Sequence, residues 1–255
     1  MFDPSELTDD GFLGGALRIL QPREGYRAAT DPVFLAAAVP AKPGQTVLEL
    51  GCGAGVASLC LAHRVAGLSL IGLELQPAYA ELAGANAARN CMALKVVTGD
   101  LAAMPGELRA EAFDQVLANP PYFPAGGGTA ARDAGRETAL REATPLAQWV
   151  DAAARRLRPG GWLTLIQRAD RLGELLSAVD TRLGSLAILP MAPREGRPAN
   201  RVILRARKGG RGALRLLAPF VVHEGPDHRG DGEDLSAMAR SVLRGGGSLD
   251  AAYRV

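Results

Sequence analysis

The sequence predicts an α/β fold: a mostly parallel, seven-stranded sheet with an antiparallel last strand and helices on both faces. From Gln45 onward, short apolar runs alternate with longer amphipathic segments, the pattern of successive β-α units. The first unit is explicit, a buried strand running through a glycine-rich turn into a helix. Composition permits such a fold, because 255 residues with 47% hydrophobic and 22% charged side chains bury a sizeable core without disulfides or metals.

Residues 1–40 stand outside the alternation. Gly14 to Gln21 suggests a small hairpin and Asp31 to Ala38 a short helix, together a lid over the carboxyl ends of the strands, where open α/β sheets bind ligands. Thr46–Leu50 reads as the first strand and Val56–Val65 as a helix closed by Gly67. Leu68–Glu74 is the second strand, followed by a helix that Pro77 starts and that runs toward Asn90. Leu94–Thr98 and Phe113–Ala118 are the third and fourth strands. After a Gly- and Ala-rich loop, Thr144 is the expected N-cap of a helix reaching Leu157, stopped by Arg158-Pro159-Gly160-Gly161. Trp162–Gln167 is strand five, Asp170–Leu183 a helix capped by Asp170, and Ser185–Leu189 strand six. Arg201–Ala206, followed by Lys208-Gly209-Gly210, is a final strand antiparallel to its predecessor.

Several function classes recede on composition. The first ten residues are acidic where a signal peptide is basic, and no run of about 18 apolar residues exists to cross a membrane, so a cytoplasmic protein is expected. Cys52, Cys60 and Cys91 are odd in number without a CxxC pair, and His223 and His228 lack a partner cysteine, so no metal site is expected. Net charge is only +2, yet Arg194, Arg197, Arg201, Arg205, Arg207, Lys208, Arg211 and Arg215 are opposed between 194 and 215 by Glu195 alone.

The strongest local signal is Glu49-Leu50-Gly51-Cys52-Gly53-Ala54-Gly55. Gly51, Gly53 and Gly55 supply a turn that needs positive φ or close approach of a ligand to the backbone. A dinucleotide fingerprint would place its third glycine at Val56, and a P-loop would end in Gly-Lys-Ser/Thr, so neither NAD nor ATP is indicated. Glu49 beside the turn repels phosphate and suits a cation. Glu74, 19 residues past Gly55, ends the second strand where a carboxylate accepts from both ribose hydroxyls, and Asp100 ends the third where it accepts from an adenine amine. A nucleoside without phosphate that carries a positive group is S-adenosylmethionine. Taken singly, a glycine turn is usually only a turn and a strand-end acid only a helix cap; the three occur together at successive strand ends.

Asn119-Pro120-Pro121-Tyr122, followed by Phe123, ends the fourth strand. An amine conjugated to a planar ring is a poor nucleophile because its lone pair is delocalised, and two acceptors on its N–H groups favour a more pyramidal nitrogen. The Asn119 side-chain oxygen and the Pro120 carbonyl are the candidate acceptors. Pro120 and Pro121 restrict the backbone to extended geometry, and Tyr122 offers a flat face for stacking. In-line methyl transfer needs positioning more than acid or base groups, which agrees with the lack of a Ser-His constellation. The loop Phe123–Ala143 reads equally as a flap over the acceptor or as a solvated linker. The late arginines suit RNA phosphates, although charge on an edge strand also blocks aggregation.

With those residues in place, the chain resembles the class I S-adenosylmethionine-dependent methyltransferases. It is most similar to bacterial enzymes that N6-methylate the adenine 3′ to the anticodon of a valine tRNA. The resemblance runs through Leu20-Gln21-Pro22, Gly25-Tyr26-Arg27, Thr30-Asp31, Glu49 to Gly55, Asn119 to Phe123, Arg158 to Gly161, Ala199 to Val202 and Lys208 to Gly210. It implies a Rossmann-like sheet, with Thr30 and Asp31 at the methionine end of the cofactor, Glu74 at the ribose, Asp100 and Leu101 at the adenine, and Asn119 to Tyr122 around the target amine. Tyr122, Phe123, Arg194, Arg197 and Arg201 would meet the nucleic acid, a tRNA. The implied organisation is a hairpin and lid (1–40), a methyltransferase domain (41–222) and a C-terminal tail (223–255). Enzymes acting on DNA adenine, on guanine N2 of ribosomal RNA or on glutamine N5 of a release factor look similar at the glycine turn and Asn-Pro-Pro-Tyr. A cofactor-binding RNA-binding module without catalysis is the non-enzymatic alternative.

Overall fold

The computed structural model describes residues 2–124, 141–142, 144–225, 227 and 234–254, with backbone alone at 123–124 and 141–142. The chain opens with an antiparallel hairpin of β1 (Leu7–Phe12) and β2 (Leu17–Pro22), followed by α1 (Asp31–Ala38). The β-α units are β3 (Thr46–Leu50), α2 (Val56–Arg64), β4 (Ser69–Glu74), α3 (Pro77–Arg89), β5 (Lys95–Thr98), α4 (Gly106–Ala110) and β6 (Phe113–Ala118). Two-residue segments β7 (Phe123–Pro124) and β8 (Arg141–Glu142) pair with each other. Then come α5 (Leu146–Arg156), β9 (Leu157–Arg168), α6 (Leu172–Ala178), β10 (Leu183–Arg194) and β11 (Arg201–Lys208). The chain closes with β12 (Arg215–Leu216), β13 (Phe220–His223), α7 (Ala237–Gly245) and α8 (Asp250–Tyr253).

The main sheet runs β12-β10-β11-β9-β6-β3-β4-β5, with β13 also on β10. β11 is antiparallel to both neighbours and every other pairing is parallel. The seven expected strands are present, with the last antiparallel, and β12 and β13 extend that edge. Alternation along the strands explains the two covered faces. Val47, Leu117, Ile166, Ile203 and Leu189 join one apolar cluster with α1 and α2, while Leu48, Val116, Leu165, Leu204 and Ile188 join another with α5. Chain order reverses between β3 and β6, so the crevice outside their carboxyl ends is the switch point where open sheets bind ligands. Leu50 pairs with Ala118, so Gly51 and Asn119 leave the sheet side by side.

Three local expectations are corrected. Thr144 is not the cap of α5: Pro145, with ψ of 147°, holds that position, and the Thr144 carbonyl accepts from Trp149 Nε1 at 3.2 Å. Asp170 does not cap α6, because its carboxylate is held by Arg168, and the helix ends at Ala178 rather than Leu183. Strands β9 and β10 are each 12 residues long, well beyond the expected runs. β9 takes in Leu157 to Gly161 through a register shift against β6, and β10 starts early because Gly184 packs directly on the backbone of Gly210.

Residues 234–254 pack into the first apolar cluster through Leu235, Ala239, Val242, Leu249 and Tyr253. Leu249 N–H donates to the Ala37 carbonyl at 2.8 Å, which satisfies the carboxyl end of α1. No helix among the described residues is long and apolar enough to cross a membrane.

Candidate active site

The carboxyl ends of β3 to β6 open on a cleft. Its floor is made by Gly51 and Gly53 after β3, Glu74, Leu75 and Gln76 at and after β4, Gly99, Asp100 and Leu101 after β5, and Asn119 to Tyr122 after β6. Tyr26, Tyr79, Thr144 and Trp149 close the sides. Among these lining residues Glu74 and Asp100 are the carboxylates, and none is Lys, Arg or His.

The glycines act differently from one another. Gly51 has φ of 66°, and a Cβ there would stand 2.7 Å from the Trp149 ring; at Gly53 it would meet Tyr26 at 3.6 Å. Gly55 does not line the cleft. It is the left-handed cap of α2, with α3 and Leu94 packed where its side chain would be.

Glu74 accepts from Gly53 N–H at 2.8 Å and from Gln76 N–H at 2.9 Å, which fixes the turn against the strand end. Burial pushes its pKa up against these hydrogen bonds. Asp100 accepts from Ala102 N–H at 2.8 Å. Glu49 was expected beside the ligand, but it lies beneath the turn, 3% exposed, accepting from the backbone and hydroxyl of Ser58. Burial pushes its pKa up to about 8, and it is not among the residues that line the cleft.

Asn119 is held through its amide nitrogen, which donates to the Tyr26 hydroxyl at 3.4 Å, while its Oδ1 is buried without a donor among the described residues. Tyr26 is itself clamped. Its N–H donates to the Tyr79 hydroxyl at 2.9 Å, and that hydroxyl donates to the Tyr26 carbonyl at 3.1 Å. Beneath the two prolines, Gln167 Nε2 donates to the Pro120 and Pro121 carbonyls, each at 3.4 Å, and Arg171 to Pro121 at 3.1 Å. The long bond to Pro120 leaves that carbonyl a free lone pair.

Thr30 and Asp31 do not line the cleft. Asp31 accepts from Arg201 Nε at 2.9 Å and from the Tyr122 hydroxyl, and the Arg201 guanidinium lies 4.5 Å from the Tyr122 ring centroid. Arg194 points inward to the Glu224 carbonyl and Asp234, so it anchors the chain end instead of facing solvent. Arg197 is 60% exposed, with Asp227 at 3.4 Å. Residues 125–140 and 143 of the expected flap, and the side chains of Phe123, Pro124, Arg141 and Glu142, lie outside the described residues.

Tyr79, Trp149, Leu75, Gln167 and Arg171 were not singled out from the sequence. Trp149 carried a usable signal, a large ring on a helix returning toward the strand ends; Leu75 carried none, since its 53% exposure depends on the cleft around it. Among the described residues no group of three or more His, Cys, Asp or Glu is placed to hold a metal.

The model of the methyltransferase small domain family matches residues 30–185. A tRNA1(Val) (adenine(37)-N6)-methyltransferase of Porphyromonas gingivalis is 32% identical over 200 residues, 71% of this chain and 78% of the relative. One of the same name from Dickeya chrysanthemi is 28% identical over 218 residues, 83% and 85% of the two chains. A crystal structure of an Agrobacterium tumefaciens protein described as a predicted O-methyltransferase superposes with a TM-score of 0.69 at 26% identity, covering 86% of this chain and 98% of that one. The glycine turn, the strand-end carboxylates and the Asn-Pro-Pro-Tyr corner are thus those of a member of the methyltransferase small domain family, to which this chain belongs.

Proposed function

We propose that the protein methylates the exocyclic N6 of adenine 37 in tRNA1(Val) with S-adenosylmethionine as donor, in the cytoplasm. The observation that carries this reading is the buried Asn119 oxygen in the wall of the cleft, which has no hydrogen-bond donor among the described residues. Leaving such an acceptor unsatisfied costs about 1–3 kcal/mol, and an amine N–H brought to it removes that penalty. The relatives named for this reaction span most of the chain and support adenine 37 of tRNA1(Val) as the acceptor.

The residues present fit the cofactor. Two carboxylates, with no Lys, Arg or His among the described lining residues, suit a ligand with hydroxyls and a positive charge and no phosphate. The absent Cβ atoms of Gly51 and Gly53 keep open the gaps toward Trp149 and Tyr26. Glu74 would accept from the ribose and Asp100 from the adenine amine, and Leu75 and Leu101 would supply apolar contact for the ring. When bound, S-adenosylmethionine supplies an electrophilic methyl group on a sulfonium, whose transfer leaves a neutral thioether.

The chain's own residues then do three things. The Asn119 oxygen and the Pro120 carbonyl accept the two N6–H bonds and hold the amine lone pair toward the cofactor side. Tyr122 stacks against the base. The amide of Asn119 is too weak a base to keep a proton, so the one lost from nitrogen leaves to water. A hydroxyl acceptor, as the description of the Agrobacterium protein suggests, would instead call for a base, and the described lining contains no histidine. Asn119→Ala is expected to lower the rate of methyl transfer by about 10²–10³-fold. Calorimetric affinity for S-adenosylhomocysteine should stay within about twofold, and an unchanged rate would refute the role of the Asn119 oxygen.

A further inference from the structure

Three stretches far apart in sequence meet at one aromatic ring. Asp31 is the first residue of α1, where the free N–H groups of the helix favour a carboxylate. Tyr122 ends the Asn-Pro-Pro-Tyr corner, and Arg201 is the first residue of β11. Asp31 accepts from Arg201 Nε and from the Tyr122 hydroxyl, Arg201 Nη1 donates to the Asn200 carbonyl at 3.0 Å, and the guanidinium lies 4.5 Å from the ring centroid. Side-chain exposure is 18% at Asp31 and 28% at Arg201, so the pair is shielded and less screened than a surface ion pair.

We propose that Asp31 and Arg201 are positioning residues that clamp the Tyr122 ring, one holding its hydroxyl and the other covering one face, so that the opposite face alone is presented to the target base. This rests on the reading that Tyr122 stacks on the acceptor. Both donors reach the same Asp31 oxygen, Oδ2, and Asp31 does not line the cleft. The geometry is opposed to a phosphate-binding role for Arg201. An Arg201 already neutralised by that carboxylate releases few counterions on meeting a phosphate. Freezing the ring matters because a stacked platform that rotates places the amine away from Asn119, and small misplacements cost much of the rate.

The test uses D31N, D31A, R201K and Y122F in the full chain. R201K keeps the charge but loses the planar, forked guanidinium. D31A and R201K should each lower kcat about tenfold, while S-adenosylhomocysteine affinity stays within about twofold. The dependence of KM for tRNA on salt should keep the slope of the parent. Because the three residues act as a unit, D31A combined with Y122F should fall no more than about twofold below the worse single variant. A tenfold loss of cofactor affinity in D31N, a flattened salt slope in R201K, or fully multiplicative losses in the double variant would each overturn the clamp.

A readout free of substrate covers the case in which tRNA is not the acceptor. In protein with 13C-labelled tyrosine, the Tyr122 ring signals are assigned by their loss in Y122F. They should collapse to an averaged pair in D31N and R201K while those of Tyr253 stay put; unchanged Tyr122 signals would refute the clamp. Absence of methyl transfer to tRNA by the parent would count against the proposed acceptor and leave this outcome readable.

Discussion

Glu49 and Glu74 stand on neighbouring parallel strands, and depth alone separates what they do. Glu49 pairs with Gly72, two positions deeper in the sheet than Glu74, so it is sealed under the glycine turn while Glu74 reaches the cleft. A carboxyl whose folded pKa is raised to about 8 from an ordinary value near 4.5 binds its proton more tightly in the folded than in the unfolded chain. Its contribution to stability is therefore complete below about pH 4.5 and is lost as pH rises toward about 8. Glu49→Gln cannot titrate. Relative to the parent, its urea midpoint should improve between pH 5 and pH 8.5; a constant difference across that range would mean that Glu49 is ionised in the folded protein.

At the scale of elements, the chain's end is bound to its beginning. α8 brings Asp250 to Arg205 Nη2 at 2.6 Å, Tyr253 lies 3.5 Å under the same guanidinium, and Arg205 Nε reaches the Ala38 carbonyl. Asp250→Ala leaves a guanidinium that is 7% exposed without its carboxylate, and should cost about 2–3 kcal/mol in chemical denaturation. A change under about 0.5 kcal/mol would show that the carbonyl and ring suffice. Legibility follows from the same physics. β3 and α1 were readable to the residue because an apolar run met a Gly, Pro or Asp signal at each end, and β6 because its run stops at Asn119-Pro120. α7 and α8 were not, since their apolar positions have meaning only against α1, and neither was the five-residue α4. Asn119 and Glu74 were placed by motif and strand-end position, whereas the Asp31–Tyr122–Arg201 contact joins segments that local pattern cannot relate.

Across the whole molecule, the late arginines are a cluster in sequence and a set of ties in space. Arg194 holds Asp234, Arg201 holds Asp31, Arg205 holds Asp250, Arg207 reaches the Gly160 carbonyl and Arg215 the Tyr253 carbonyl. A run that read as a phosphate stripe thus ties the sheet edge to the first and last segments through Arg194, Arg201, Arg205 and Arg215, while Arg197, Arg207, Arg211 and Arg215 keep exposed surface. Among its described lining residues the cleft has the opposite polarity, with acids and no cations, which fits a nucleic acid held outside it while a single base enters. The central claim is that this base is an adenine of a valine tRNA. Its most direct test is transfer of labelled methyl from S-adenosylmethionine into total tRNA from a strain lacking the gene, with the modified nucleoside identified by mass spectrometry. N6-methyladenosine at position 37 of one valine isoacceptor is the predicted result, and label confined to ribosomal RNA or to protein glutamine would contradict it.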